Sequence, residues 1–129
     1  MKIVALIVRI LLGLIFVVFG ANGLHPFLPI PPMPAGLAKD YITALFMSHY
    51  AVVLFGVQFI GGILLLVNRY VPLALTILGP VIVNILCFHT FMDPPGLPRA
   101  FVVTILWLIL FYYYRRSFTG IFEQSPSVL

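Results

Sequence analysis

Residues 68–98 read NRYVPLALTILGPVIVNILCFHTFMDPPGLP. The apolar run at 71–92 is long enough to cross a bilayer, for which about 20 helical residues suffice. Inside it and just beyond sit Asn84, His89, Thr90, Asp93 and Arg99. A polar group in hydrocarbon costs free energy unless it finds a partner, so such groups turn toward a bundle interior or a water-filled cavity. The rest of the chain is expected to supply the wall that satisfies them.

Composition supports that expectation. Of 129 residues, 63% are hydrophobic and 8% charged, where a soluble domain carries about 25% charge. A water-soluble fold of this size has too little interior for so much apolar side chain. The expected fold is therefore all-α, an integral membrane four-helix bundle forming one domain over 1–129. A net charge of +4 is spread over short loops and ends. No basic stripe marks a nucleic-acid partner, so the charge reads as membrane orientation. The single cysteine, Cys87, excludes an internal disulfide framework and a CxxC redox pair. No Walker A, GxGxxG, nucleophile elbow or HExxH is present. Three acidic residues argue against a paired-carboxylate hydrolase, and the sequence leaves open whether the protein is an enzyme.

Outward from the central stretch, helices are predicted at about 3–21, 41–67, 71–92 and 98–117. The first run resembles a signal peptide, but Arg9 interrupts it and no small-x-small cleavage site precedes a soluble domain, so it reads as a retained helix. Arg9, Gly13, Phe16, Gly20 and Gly23 share one stripe, and glycines there let another helix approach closely. Arg9 reads either as a side chain snorkelling to the cytoplasmic surface or as a cation buried in the bundle. Residues 24–40 form a proline-rich outer loop with five prolines between Pro26 and Pro34. Its apolar intervening residues predict a rigid segment lying on the bundle as a partial lid. Asp40 is the expected N-cap of the second helix. Gly79–Pro80 is expected to kink the third, and Pro94 to end it. Trp107, in the middle of the fourth, needs an interior partner for its indole N–H.

Lysine and arginine counts orient the chain. With both termini cytoplasmic, Lys2, Arg9, Arg69, Arg115 and Arg116 lie inside, against Lys39 and Arg99 outside. His25, Asp40, His49, His89, Asp93 and Arg99 then fall toward the outer half, where a site is expected.

His89 and Asp93, four apart, share a helix face. A carboxylate near a helix C-terminus is disfavoured, so Asp93 needs a partner: Arg99, Lys39 or His89. A carboxylate that fixes an imidazole tautomer prepares a base, relay or ligand; the alternative is a structural cap. His49 and His89 at similar depth admit a haem-ligand pair, and His25, His89 and Asp93 a zinc or iron site; neither has a recognised spacing, and haem or metal is not expected. Asn84 follows Pro80 by one turn, so it either satisfies kinked backbone or donates to a ligand carbonyl. Gln58 reads the same way. Cys87 reads as inert packing. The candidate ligand-binding set is Asn84, His89, Asp93, His49 and Gln58.

GLIFVVFGANG at 13–23, LPIPPMP at 28–34, GGILLLVNRYVPLAL at 61–75 and PVIVNILCFHTFMDPPGLP at 80–98 together resemble the DoxX-like family of small four-helix bacterial membrane proteins. The resemblance covers nearly the whole chain. It implies a multi-pass protein of the bacterial inner membrane and a redox-associated, quinone-linked role. A quinone-like or other apolar small molecule is then the expected ligand, near the outer face. Alternatives are a non-enzymatic accessory subunit partnering other membrane proteins, and a small-solute or lipid carrier. The family supplies no agreed catalytic residues to carry over.

Overall fold

The computed structural model describes residues 2–29 and 32–129. Five α-helices account for most of the chain: α1 (Lys2–Leu24), α2 (Leu37–Met47), α3 (Tyr50–Leu66), α4 (Val71–Phe91) and α5 (Leu97–Tyr113). Short 3-10 turns at Pro94–Gly96 and Arg115–Phe118 precede and follow α5. No strand occurs among the described residues. Three segments, Lys2–Leu24, Val71–Phe91 and Pro94–Tyr113, are long and apolar enough to cross a membrane, and the bent pair α2–α3 makes a fourth if counted as one span.

That bend corrects the single helix expected over 41–67. α2 and α3 meet at 88°. His49 adopts a left-handed conformation (φ 63°) and redirects the chain, while Ser48 Oγ accepts from the Tyr50 N–H at 3.3 Å. α2 also starts earlier than expected, at Leu37. Gly36, at φ 151°, turns the chain into it in a region that favours glycine. Asp40 lies in the first turn and is not the N-cap. There its charge still complements the helix dipole.

α1, α3, α4 and α5 close a ring in which each packs on the next. Leu12, Phe16, Leu65, Leu75, Leu78 and Leu110 are completely enclosed. Small residues set the closest approaches. A Cβ on Gly20 would lie 2.7 Å from the Phe59 backbone nitrogen, and one on Gly62 2.7 Å from that of Val17. The neighbouring Gly61 faces the other way, against the Leu78 side chain. Successive helical positions are about 100° apart, so this glycine pair seats α3 between α1 and α4.

Arg9 is buried, and its guanidinium donates to the carbonyls of Leu65 and Leu66. These belong to the last turn of α3, where carbonyls lack intrahelical partners and the dipole is negative. Of the two readings of Arg9, the buried cation is therefore the one observed. Trp107 donates its indole N–H to the Leu75 carbonyl at 3.0 Å, the interior partner that its mid-helix position required. α4 runs unbroken through Pro80 and ends at Phe91, before Pro94. On the outside, Ile7, Leu11, Val53, Ile60, Val83, Val102, Ile105 and Leu108 are exposed around all four ring helices.

The α1–α2 connection begins with Asn22, whose side-chain oxygen accepts from the Phe27 and Leu28 N–H groups, each at 2.9 Å. Ile30 and Pro31, part of the expected proline lid, lie outside the described residues.

Candidate functional site

At one end of the ring, where α1 and α4 finish and α3 and α5 begin, the four helices diverge around a cavity of about 240 Å³. α1 contributes Ile15, Phe16 and Phe19; α3 contributes Leu54, Phe55 and Gln58; α4 contributes Asn84, Ile85, Phe88 and His89; α5 contributes Arg99, Ala100 and Val103. α2 closes the set with Tyr41, Ile42 and Leu45. The cover is thus a helix laid across the bundle by the 88° bend. The described residues of the proline-rich loop do not line the cavity, which corrects the expectation that this loop forms the lid.

Three of the five candidate residues, Gln58, Asn84 and His89, meet on this wall. Gln58 is 5% exposed and among the described residues makes no side-chain hydrogen bond. No buried side-chain N or O atom is left without a partner there, so the accessible part of its amide is what the cavity reaches. Asn84 does not repair the backbone around Pro80. Its amide meets the Tyr41 hydroxyl at 3.3 Å from Nδ2 and 3.4 Å from Oδ1, and either group can donate. The Tyr41 ring in turn packs on Phe88, centroids 5.4 Å apart.

His89 projects from the last turn of α4, and Asp93 stands behind it. Nδ1 lies 3.1 Å from the Asp93 carboxylate Oδ2 and 3.2 Å from the Asp93 carbonyl. Both partners are acceptors only, so Nδ1 carries the hydrogen and donates. In the neutral ring the lone pair then belongs to Nε2. Phe88 meets the imidazole edge-on at 5.0 Å and limits its rotation. Asp93 reaches the cavity only through this histidine; its own side chain is 29% exposed at the rim.

Arg99 was a possible partner for Asp93. It lines the cavity instead, and the ion pair that forms among the described residues is His89–Asp93. Arg99 stands in the first turn of α5, where Pro98 is tolerated because first-turn N–H groups have no helical partner.

His49 does not join the site. It is exposed at the α2–α3 bend, away from the cavity lining. The bend separates it from His89, with which a straight helix would have aligned it. His25 is also exposed, and among the described residues no three of His, Cys, Asp and Glu gather as a metal set.

No family model matches the chain. No solved structure matches it either. The chain is similar to a protein of Bacillus subtilis (strain 168) described as the uncharacterized protein YwoB, at 31% identity over 101 residues. That match takes in 74% of this chain and 65% of the relative, so the chain spans just under two thirds of the length of the protein it resembles.

Tyr41, Ile42 and Phe19 were not among the residues singled out from sequence. Nothing at Tyr41 signals a site until the bend returns α2 over α4. Arg99 was legible as an outer cation and a possible partner for Asp93, and its place on the wall follows the tight Pro94–Gly96 turn.

Proposed function

We propose that this is a multi-pass protein of the bacterial cytoplasmic (inner) membrane, DoxX-like in architecture, that binds an apolar small molecule of the quinone type near the outer face. The membrane placement is supported by the exposed apolar side chains on every ring helix. In water such continuous apolar surface drives association; in lipid it is the normal exterior. α3, at 17 residues, is about 25 Å long, close to the hydrocarbon thickness of about 30 Å. α2, bent away from it, then lies along the outer surface and roofs the cavity.

The observation that carries the binding reading is Gln58. Its amide makes no side-chain hydrogen bond among the described residues, yet its N and O atoms are not sealed from the cavity. Its place on the wall of a mostly aromatic and aliphatic cavity gives it a use: donating to, or accepting from, a ligand inside. Asn84 offers a second amide, and Arg99 a cation at the opening. Nε2 of His89 is an acceptor suited to a ring hydroxyl. Carbonyl and hydroxyl oxygens on one flat apolar ring match this mixture of donors and acceptors. Drug-sized sites run to about 300–1,000 Å³. A cavity of about 240 Å³ therefore suits one ring system, not a whole isoprenoid quinone.

The test is mass spectrometry of small molecules extracted from the purified protein, wild type against Gln58→Leu. The wild type should carry a quinone-type molecule, and Gln58→Leu should lose it. Stripped of ligand, the variant should still fold, because Gln58 makes no side-chain hydrogen bond among the described residues that leucine would lose. A wild type that carries no small molecule and copurifies with another membrane subunit would refute the binding reading in favour of an accessory role.

A further inference from the structure

Charge around the cavity is one-sided. Its lining contains the guanidinium of Arg99 and the imidazole of His89, and no aspartate or glutamate among the described residues. The chain has three acidic residues in all, Asp40, Asp93 and Glu123. Asp93 already accepts from His89 Nδ1 at 3.1 Å. Asp40 is exposed on the first turn of α2, outside the lining. Glu123 follows α5 at the opposite end of the ring. Among the described residues Arg99 makes no hydrogen bond, ion pair or ring contact.

We infer that Arg99 is an anion anchor, which makes the cavity select a ring compound carrying one ionised oxygen over the same ring uncharged. The inference rests on the quinone-type reading and narrows its ligand class to acidic rings.

The placement of Arg99 supports this. Val103 is four residues on, on the same stripe of α5, and it lines the cavity at 8% exposure. Ala100, also on the wall, is 1% exposed. Arg99 thus continues a face of α5 that is turned to the cavity. An uncharged quinone asks only for donors, and Gln58, Asn84 and Tyr41 already supply them. A guanidinium adds something different: a planar fork of N–H groups whose bonds to an ionised oxygen are roughly twice as strong as neutral ones. Arg99 is itself exposed, so water screens part of its charge. The wall beside it is aliphatic and aromatic and screens less. Between those limits, a preference of about tenfold for the ionised ring is expected. The ionised oxygen would sit at the mouth, with the opposite ring oxygen directed inward to Gln58.

The experiment uses the full chain in phosphatidylcholine nanodiscs at neutral pH with three naphthoquinones. One bears an acidic hydroxyl that is ionised at this pH, one is its methyl ether, and one is the amino analogue, which is uncharged but can donate. After correction for partition into the bilayer, the wild type should bind the hydroxy compound about tenfold more tightly than either uncharged one. Arg99→Gln should bring the three affinities within about twofold of one another, and Arg99→Lys, which keeps the charge without the fork, should retain part of the preference. Should Arg99→Gln fail to fold, Arg99→Met, which keeps the apolar stem, takes its place. Equal binding of all three compounds by the wild type, or an unchanged preference in Arg99→Gln, overturns the anchor while the ring site stands. So does loss of the preference when phosphatidylglycerol is added to the discs, because the guanidinium then serves a lipid phosphate. If none of the three compounds binds, the quinone-type reading itself falls, and the anchor with it.

Discussion

Asp93 illustrates how a residue that is awkward in one context becomes useful in the next. It follows the negative end of α4, where a carboxylate is disfavoured, and it takes the Nδ1–H of His89 at 3.1 Å. The pairing depends on a third residue: a Cβ on Gly96 would come within 2.2 Å of His89 Nδ1 and 2.8 Å of Asp93 Oδ2. If the pair serves a ligand, His89→Ala should abolish binding to the purified protein. Asp93→Asn should weaken it about tenfold or less, since a neutral amide oxygen still accepts the Nδ1–H but interacts more weakly than a carboxylate. Gly96→Ala should resemble His89→Ala, because it displaces the ring. All three variants should still insert and fold. Lowered melting temperatures with the ligand retained would reduce the pair to a structural cap. The four-residue spacing made this pair legible in the sequence. The role of Gly96 was not, because it arises from the turn that brings position 96 against position 89. Arg9 was legible as one of two alternatives, and only the position of the α3 carbonyls decides between them.

At the scale of elements, the glycine stripe of α1 was readable from spacing alone, because lipid offers helices no hydrophobic drive to associate and close packing must replace it. Gly13 and Gly20 both abut α3. Gly20→Leu should destabilise the protein in detergent by about 1–3 kcal/mol, since the added carbon meets the backbone of Phe59, which cannot rotate away. Val18→Leu, on the exposed side, should stay within about 0.5 kcal/mol of wild type. Equal melting temperatures for the two variants would show that the stripe does not pack. The bend between α2 and α3 was hidden for the opposite reason. Positions 41–67 are mostly apolar, and Ser48–His49 contains neither proline nor glycine to announce a break. Histidine enters the left-handed region more readily than most side chains, and that was the one local hint. Missing the bend moved His49 into the site and left Tyr41 out of it. It also gave the role of cover to the prolines, when the sequence after them folds into the helix that performs it.

For the whole molecule, the proposed membrane placement and the helix order together put both termini on one face. α1 leads outward, α2 lies along the outer surface, α3 returns, α4 goes out and α5 comes back, so both termini share a face. The turn between α3 and α4, with Asn68 and Tyr70 at positive φ, lies on that same face with Arg69, as do Lys2 at the start of α1 and Arg115 and Arg116 after α5. Arg9 is buried against the α3 carbonyls, so it belongs to packing and not to the orienting charge. The remaining asymmetry, Lys2, Arg69, Arg115 and Arg116 against Lys39 and Arg99, still points the same way, since basic residues near the ends of spans are retained in the cytoplasm. Under the proposed orientation the cavity faces the outer side, with Asp93 at its rim behind His89. A C-terminal reporter that is active only outside the cytoplasm should therefore stay dark, and one that fluoresces only in the cytoplasm should be bright. The reverse pattern would invert the molecule. It would leave every packing contact in place and move the cavity, the His89–Asp93 pair and the α2 cover to the cytoplasmic face.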